Sequence, residues 1–206
     1  MKLKKIASLM LAGIMAVSML AGCKSGTPNT DPTEPETPVD SSFAAAVNAE
    51  LDDKQKAIVT FENDATLSNA LKAVADKFDS STVNTNATKW ATGQVLSDFR
   101  VMLDCTDAAG ISDSWAERTS DRTAAEIIIV PGKYTEDGLA KEVAKFLGNN
   151  AVKQSVMKNG DGVGGKFYEY EYTGDIAVEA VVSLSGEVSA YIVGVVVNQT
   201  VTEQAV

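Results

Sequence analysis

The sequence predicts an α+β domain, an antiparallel sheet with helices packed on one face, preceded by a signal peptide and a disordered linker. Three observations carry that expectation. Apolar residues recur at helical spacing in three segments between residues 64 and 147. Three β-rich runs follow one another between residues 166 and 198. Residues 24–42 read KSGTPNTDPTEPETPVDSS, with Val39 the one aliphatic side chain among Pro, Thr, Ser and acids. Helices followed by a run of adjacent strands favour an antiparallel sheet over the strictly alternating order of parallel α/β folds.

Ala57–Phe61 (AIVTF) reads as a strand. In the helix expected at Asp64–Phe78, Leu67, Leu71, Val74 and Phe78 share a face, and Asp64 or Thr66 can serve as N-cap. A second helix is expected at Thr92–Leu103, with Leu96, Phe99 and Leu103 on one face, before a polar, loop-rich stretch from Asp104 to Thr123. Glu126–Val130 (EIIIV) is a buried strand stopped by Pro131-Gly132. Thr135 then caps a helix whose apolar face is Leu139, Val143, Phe146 and Leu147, with Gly148 as its stop. After a glycine-rich break, strands are expected at Lys166–Thr173, Ile176–Leu184 and Glu187–Asn198, the last two joined by a tight Ser185-Gly186 hairpin. The globular part, residues 43–206, is one domain by its length of roughly 160 residues.

The chain opens on Lys2, Lys4 and Lys5, continues with an apolar run from Ile6 to Met19, and reaches Leu20-Ala21-Gly22-Cys23. The first two zones are those of a secretory signal peptide, and the run is shorter than the roughly 20 residues a membrane-spanning helix needs. The third zone resembles the lipobox of bacterial lipoproteins. That resemblance implies cleavage after residue 22, lipid on Cys23, and a protein held at the extracytoplasmic face of a cell membrane. Residues 23–42 then form a tether too poor in apolar surface to fold, which its prolines keep extended.

Cleavage before Cys23 removes three of the 18 basic residues and none of the 28 acidic ones, taking the net charge from −10 to −13. So acidic a domain is repelled by nucleic acid and by anionic headgroups, which leaves the membrane link to the lipid. Cys105 would be the one remaining thiol, so no disulfide can form within the mature chain. Following Phe99, Met102 and Leu103 on a helical run, Cys105 is expected to pack as a small apolar residue.

The segment from Thr123 to Val197 resembles the C-terminal part of a family of small Gram-positive lipoproteins. Ala125-Glu126-Ile127-Ile128-Ile129 matches a strand leading into a helix there. Ala180-Val181-Val182, Gly186 and Tyr191-Ile192-Val193 match a closing strand–turn–strand, while that family's Arg and Gln in the helix are missing. The family carries no assigned activity, so the resemblance implies no mechanism.

The chain contains no His, which removes Ser-His-Asp and Cys-His catalysis and histidine metal sites. Gly160–Gly165 fits G-x-G-x-x-G, but a helix precedes it and a strand follows. A dinucleotide loop needs the reverse order, so a flexible connection is expected. Ser155 and Lys158 fit S-x-x-K without the S-D-N and K-T-G partners of penicillin-recognising enzymes, and read as surface residues. Asp104, Asp107, Asp113 and Glu117 surround Trp115 in the polar stretch. Their spacing does not match a calcium loop, and Arg118 and Arg122 are near enough to neutralise them. An aromatic residue in a polar loop nevertheless makes Trp115, with Asp107 and Asp113, the first candidate for a binding site. Tyr168, Tyr170 and Tyr172 share one face of a strictly alternating strand. They are candidates for stacking on a ligand, although such a stripe more often packs inward with its hydroxyls reaching water.

No cofactor or metal is implied. The reading that fits these features is a non-enzymatic binding or envelope-structural module, taking an envelope protein or a small ligand. The alternatives are a carboxylate-based hydrolase acting on cell-wall or environmental glycans, and an accessory lipoprotein of an exporter or receptor.

Overall fold

The computed structural model describes residues 41–78, 83, 86–105, 110–183 and 186–205. The expected signal peptide, the lipidation site Cys23, nearly all of the tether and the candidate Asp107 lie outside the described residues. Contacts group Pro38–Val206 into one compact unit.

The chain enters through α1 (Ser41–Glu50) and the short α2 (Asp53–Lys56). Neither was foreseen, and α1 begins two residues inside the expected tether. Asp52 starts α2 with a capping box, its carboxylate accepting from the amides of Lys54 and Gln55 while the Gln55 side chain accepts from the Asp52 amide. The expected strand at 57–61 shrinks to β1 (Phe61–Glu62). In α3 (Ala65–Ala75), Asp64 is the cap, its Oδ1 accepting from the Leu67 amide at 2.7 Å. The short β2 (Lys89–Trp90) and α4 (Gln94–Met102) follow. β3 (Arg122–Pro131) is longer than the aliphatic run that announced it. Thr135 caps α5 (Glu136–Asn150). Gly148 lies inside α5 and does not stop it. The amide end of the Gln55 side chain, from α2, lies where a Cβ would stand.

The glycine-rich segment is not a flexible connection. It forms β4 (Gly160–Val163), which turns back through Gly164 and Gly165, at φ +60° and +82°, into β5 (Lys166–Val182). Two successive positive φ values are what a tight hairpin of this kind requires. β5 is one 17-residue strand where two were expected. Gly174 does not interrupt it; the Phe61 ring packs where a side chain would be, with a built Cβ only 2.6 Å from Phe61 Cδ1. Gly186, at φ +85°, returns the chain into β6 (Val188–Gln204). Ser185 lies outside the described residues.

The strand order is β1-β5-β6-β3-β2, with β4 paired to β5. All pairings are antiparallel except that of β1 with β5. The α+β class and the mostly antiparallel sheet are therefore as expected. The helices, however, cover both faces of the sheet and not one. Ala124, Ile128, Val130, Val193, Val195 and Val197 face α1 and α5. Ala125, Ile127, Ile129, Ile192 and Val196 face α3 and α4. Strands covered on both sides read as continuous aliphatic runs, which is how β3 and the first part of β6 read. The outer edge of β3 beyond β2 is capped by side chains. Arg100 Nε donates to the Ala125 carbonyl at 2.8 Å and the Cys105 thiol to that of Thr123 at 3.3 Å.

Candidate functional site

Trp115 and the tyrosine stripe come together, but as packed interior. The loop 110–118 folds over the end of the sheet, and Trp115 is fully buried there with Ile111. The indole Nε1 donates to the Ile111 carbonyl at 2.9 Å. One face of the ring carries the Arg122 guanidinium, 4.1 Å from the centroid, and Tyr172 meets the indole edge-on at 5.7 Å. Arg122 is itself buried, donating to the carbonyls of Ser114 and Gly110. Trp115 therefore does not stand in the loop as an accessible aromatic. Its edge and its face are both occupied by the protein.

Two of the three tyrosines tie loops to the sheet, and the third bonds within it. Tyr170 accepts from the Arg118 amide at 3.0 Å and donates to the Arg118 carbonyl at 3.1 Å. Tyr172 donates to the Lys158 carbonyl at 2.7 Å and accepts from Gln199 Nε2, which also reaches the Trp115 carbonyl. Burial pushes the Tyr172 hydroxyl up to about 12. The Tyr168 hydroxyl reaches Glu203 at 3.4 Å. Of the acids around Trp115, Asp113 is exposed and accepts from the Gly110 amide at 2.6 Å. The buried acid of this region is Glu126, which nothing in the sequence had marked. It pairs with Arg100 at 2.9 Å, and burial raises its pKa despite that partner. A Cβ on Gly110 would lie 2.4 Å from Glu126 Oε1, so glycine there makes room for the carboxylate.

Two surface depressions lie elsewhere. One, of about 370 Å³, is lined by Asp64, Asp104 and Asp175 together with Thr123, Val196 and Asn198. Asp175 is half-buried, and that burial, followed by the charges of Asp64 and Glu62, raises its pKa. The other is an open groove of about 610 Å³ bounded by Gln154, Lys158, Asn159, Gly160, Phe167 and Glu169. Lys158 is bonded there to Asp161 at 2.9 Å, which raises the ammonium and lowers the carboxylate. Ser155, the other half of the S-x-x-K pair, is exposed. Phe167 stands on the opposite face of β5 from the tyrosines and is 47% exposed. The strict alternation of residues 166–172 carried this signal, because burying the tyrosines commits Phe167 to the other side.

Among the described residues no helix is long and apolar enough to cross a membrane, and no group of three or more Cys, Asp or Glu is placed to hold a metal ion. Comparison of the chain with models of protein families, with curated proteins and with solved structures finds no match.

Proposed function

We propose that this chain is a lipid-anchored extracytoplasmic lipoprotein whose domain works by binding an envelope partner or a small ligand. The observation that supports binding is the Phe167 groove. An exposed aromatic ring stands there beside amide, ammonium and carboxylate groups, on a rigid sheet, in an open space of about 610 Å³. That volume falls within the usual range for ligand sites. Support for the anchor comes from the basic, apolar and Leu20-Ala21-Gly22-Cys23 zones of the N-terminus. The acidic domain would not hold itself to an anionic surface, and one acyl chain binds only marginally, so more than one chain is expected on Cys23. Cys23→Ala is expected to release the protein from the membrane fraction or to leave an uncleaved precursor. Membrane retention at the mature size would refute the anchor. Capture from cell envelope by the full-length protein, lost in Phe167→Ala, tests the binding reading.

A second reading, a carboxylate-based glycan hydrolase, draws on the other depression. Asp175, with its raised pKa, beside Asp64 resembles the acid and carboxylate that glycoside cleavage needs on either side of a bond. Asp64 is already engaged as the cap of α3, which favours a structural role for it. Hydrolysis of glycan substrates that disappears in Asp175→Asn would support this reading over the first.

A further inference from the structure

Resting on the binding reading above, we propose that the Phe167 groove and the bare sheet face beside it form a platform for an uncharged oligosaccharide. At this end of the sheet, one face is closed by the tyrosines and the loops they hold. On the other, Glu169, Glu171 and Thr173 of β5 and Thr200 and Thr202 of β6 are all exposed. Glu169 lies opposite Thr202 and Glu171 opposite Thr200, so the surface is a ladder of hydroxyl and carboxylate groups with Phe167 at one end. Along each strand these groups recur every ~6.8 Å, two residues at a time, which suits a ligand that is itself an extended repeating chain.

The groove next to this ladder is chemically specific. The Phe167 ring rests against Gly160; a Cβ there would lie 2.9 Å from Phe167 Cζ, so bare backbone supports the ring while its outer part meets solvent. Glu169 accepts from Gln204 Nε2 at 2.7 Å, and Gln154 Nε2 reaches Asn159 Oδ1 at 3.4 Å, which orients these polar groups before any ligand arrives. The Lys158 charge is answered by Asp161, so the groove offers no unmatched cation for an anionic ligand. The chain's net charge of −10 repels polyanions further. The groove is open, so a purely apolar ligand would stay largely hydrated in it. A sugar ring meets all these conditions. It has an apolar C–H face to lie on an aromatic ring, hydroxyls that both donate and accept, and no charge.

The test is amide NMR of the full-length protein in detergent micelles, titrated separately with tetra-N-acetylchitotetraose, cellotetraose, maltotetraose and a Lys-rich peptide. Saturable shifts at Gly160, Phe167 and Glu169 with at least one sugar are expected. Phe167→Ala should lower that affinity about tenfold or more, and Glu169→Gln should weaken it, with unchanged circular dichroism in both. Absence of saturation by every sugar below about 10 mM overturns the proposal. If the peptide alone shifts these amides and Phe167→Ala abolishes it, the glycan proposal fails while the binding reading stands. If no probe binds and envelope capture is indifferent to Phe167→Ala, both fail.

Discussion

In one half of the β5–β6 ribbon, from Ile176 to Val178 and from Ala190 to Val197, both faces are covered by helices. Its sequence there is almost wholly aliphatic: IAV against AYIVGVVV. In the other half, from Lys166 to Thr173 and from Asn198 to Gln204, one face packs through tyrosines and Gln199 while the opposite face is open. The sequence there alternates, KFYEYEYT against NQTVTEQ. Two strands thus change from a two-sided to a one-sided environment midway, near Gly174 and Val197. The first half holds the sheet between its helical layers. The second has a free face on which substitution is cheap, and that face borders the groove proposed above as a binding site.

The comparison can be broken most severely at the closed face of the one-sided half. Trp115→Ala removes the indole from Ile111, Tyr172 and Arg122 together and is expected to cost about 3–5 kcal/mol in urea unfolding. A cost near zero would mean the loop 110–118 is not part of the folded core. At the junction between the halves, Gly174→Ala forces a methyl against Phe61 and Val59, with an expected loss of about 1–3 kcal/mol by the same assay. Tyr172→Phe leaves the Lys158 carbonyl and one Gln199 contact unanswered and should cost about 1 kcal/mol.

Asp175 sharpens the comparison through pH. Its pKa is raised in the folded state, chiefly by burial, so folding is favoured while it is protonated and loses that contribution as pH rises through the raised value. Asp175→Asn is therefore expected to raise the Tm at pH 7 by a small amount, and the advantage should vanish below its ordinary value of 3.8. A variant less stable than the parent at pH 7 would show that the carboxylate makes a favourable contact. The smallest effect is expected on the open face, where Phe167→Ala should change stability by no more than about 0.5 kcal/mol. A larger loss would place Phe167 in the core and remove the ground for reading it as a site.

Much of this division is legible in the sequence because alternation reports how many faces of a strand are covered. The period-two pattern from Lys166 to Tyr172 separates Phe167 from the tyrosines, and the helices at 64–78, 92–103 and 135–147 follow from their apolar spacing. What the pattern does not carry is which side of the sheet each helix takes. Leu71 and Val143 both mark an apolar helical face, yet they lie on opposite sides. Nor does a run such as Phe43–Val47 announce α1, since it follows directly on the Pro-rich segment. Trp115 misled through its polar neighbours. Ile111 four residues earlier was the available sign that one turn of this loop points inward. Glu126 was hidden inside an aliphatic strand, because its partner Arg100 is 26 residues away, on helix α4.

Among the described strands β6 is the latest in sequence, yet it lies in the middle of the sheet, with β5 on one side and β3 on the other. The β5–β6 hairpin is local and can close quickly, but β3 has no long partner until β6 reaches it. α3, which packs chiefly on β5 and β6, lacks that surface until the hairpin is made. β6 is thus the strand that joins the two halves of the sheet, and a change that weakens its pairing is felt on both sides at once.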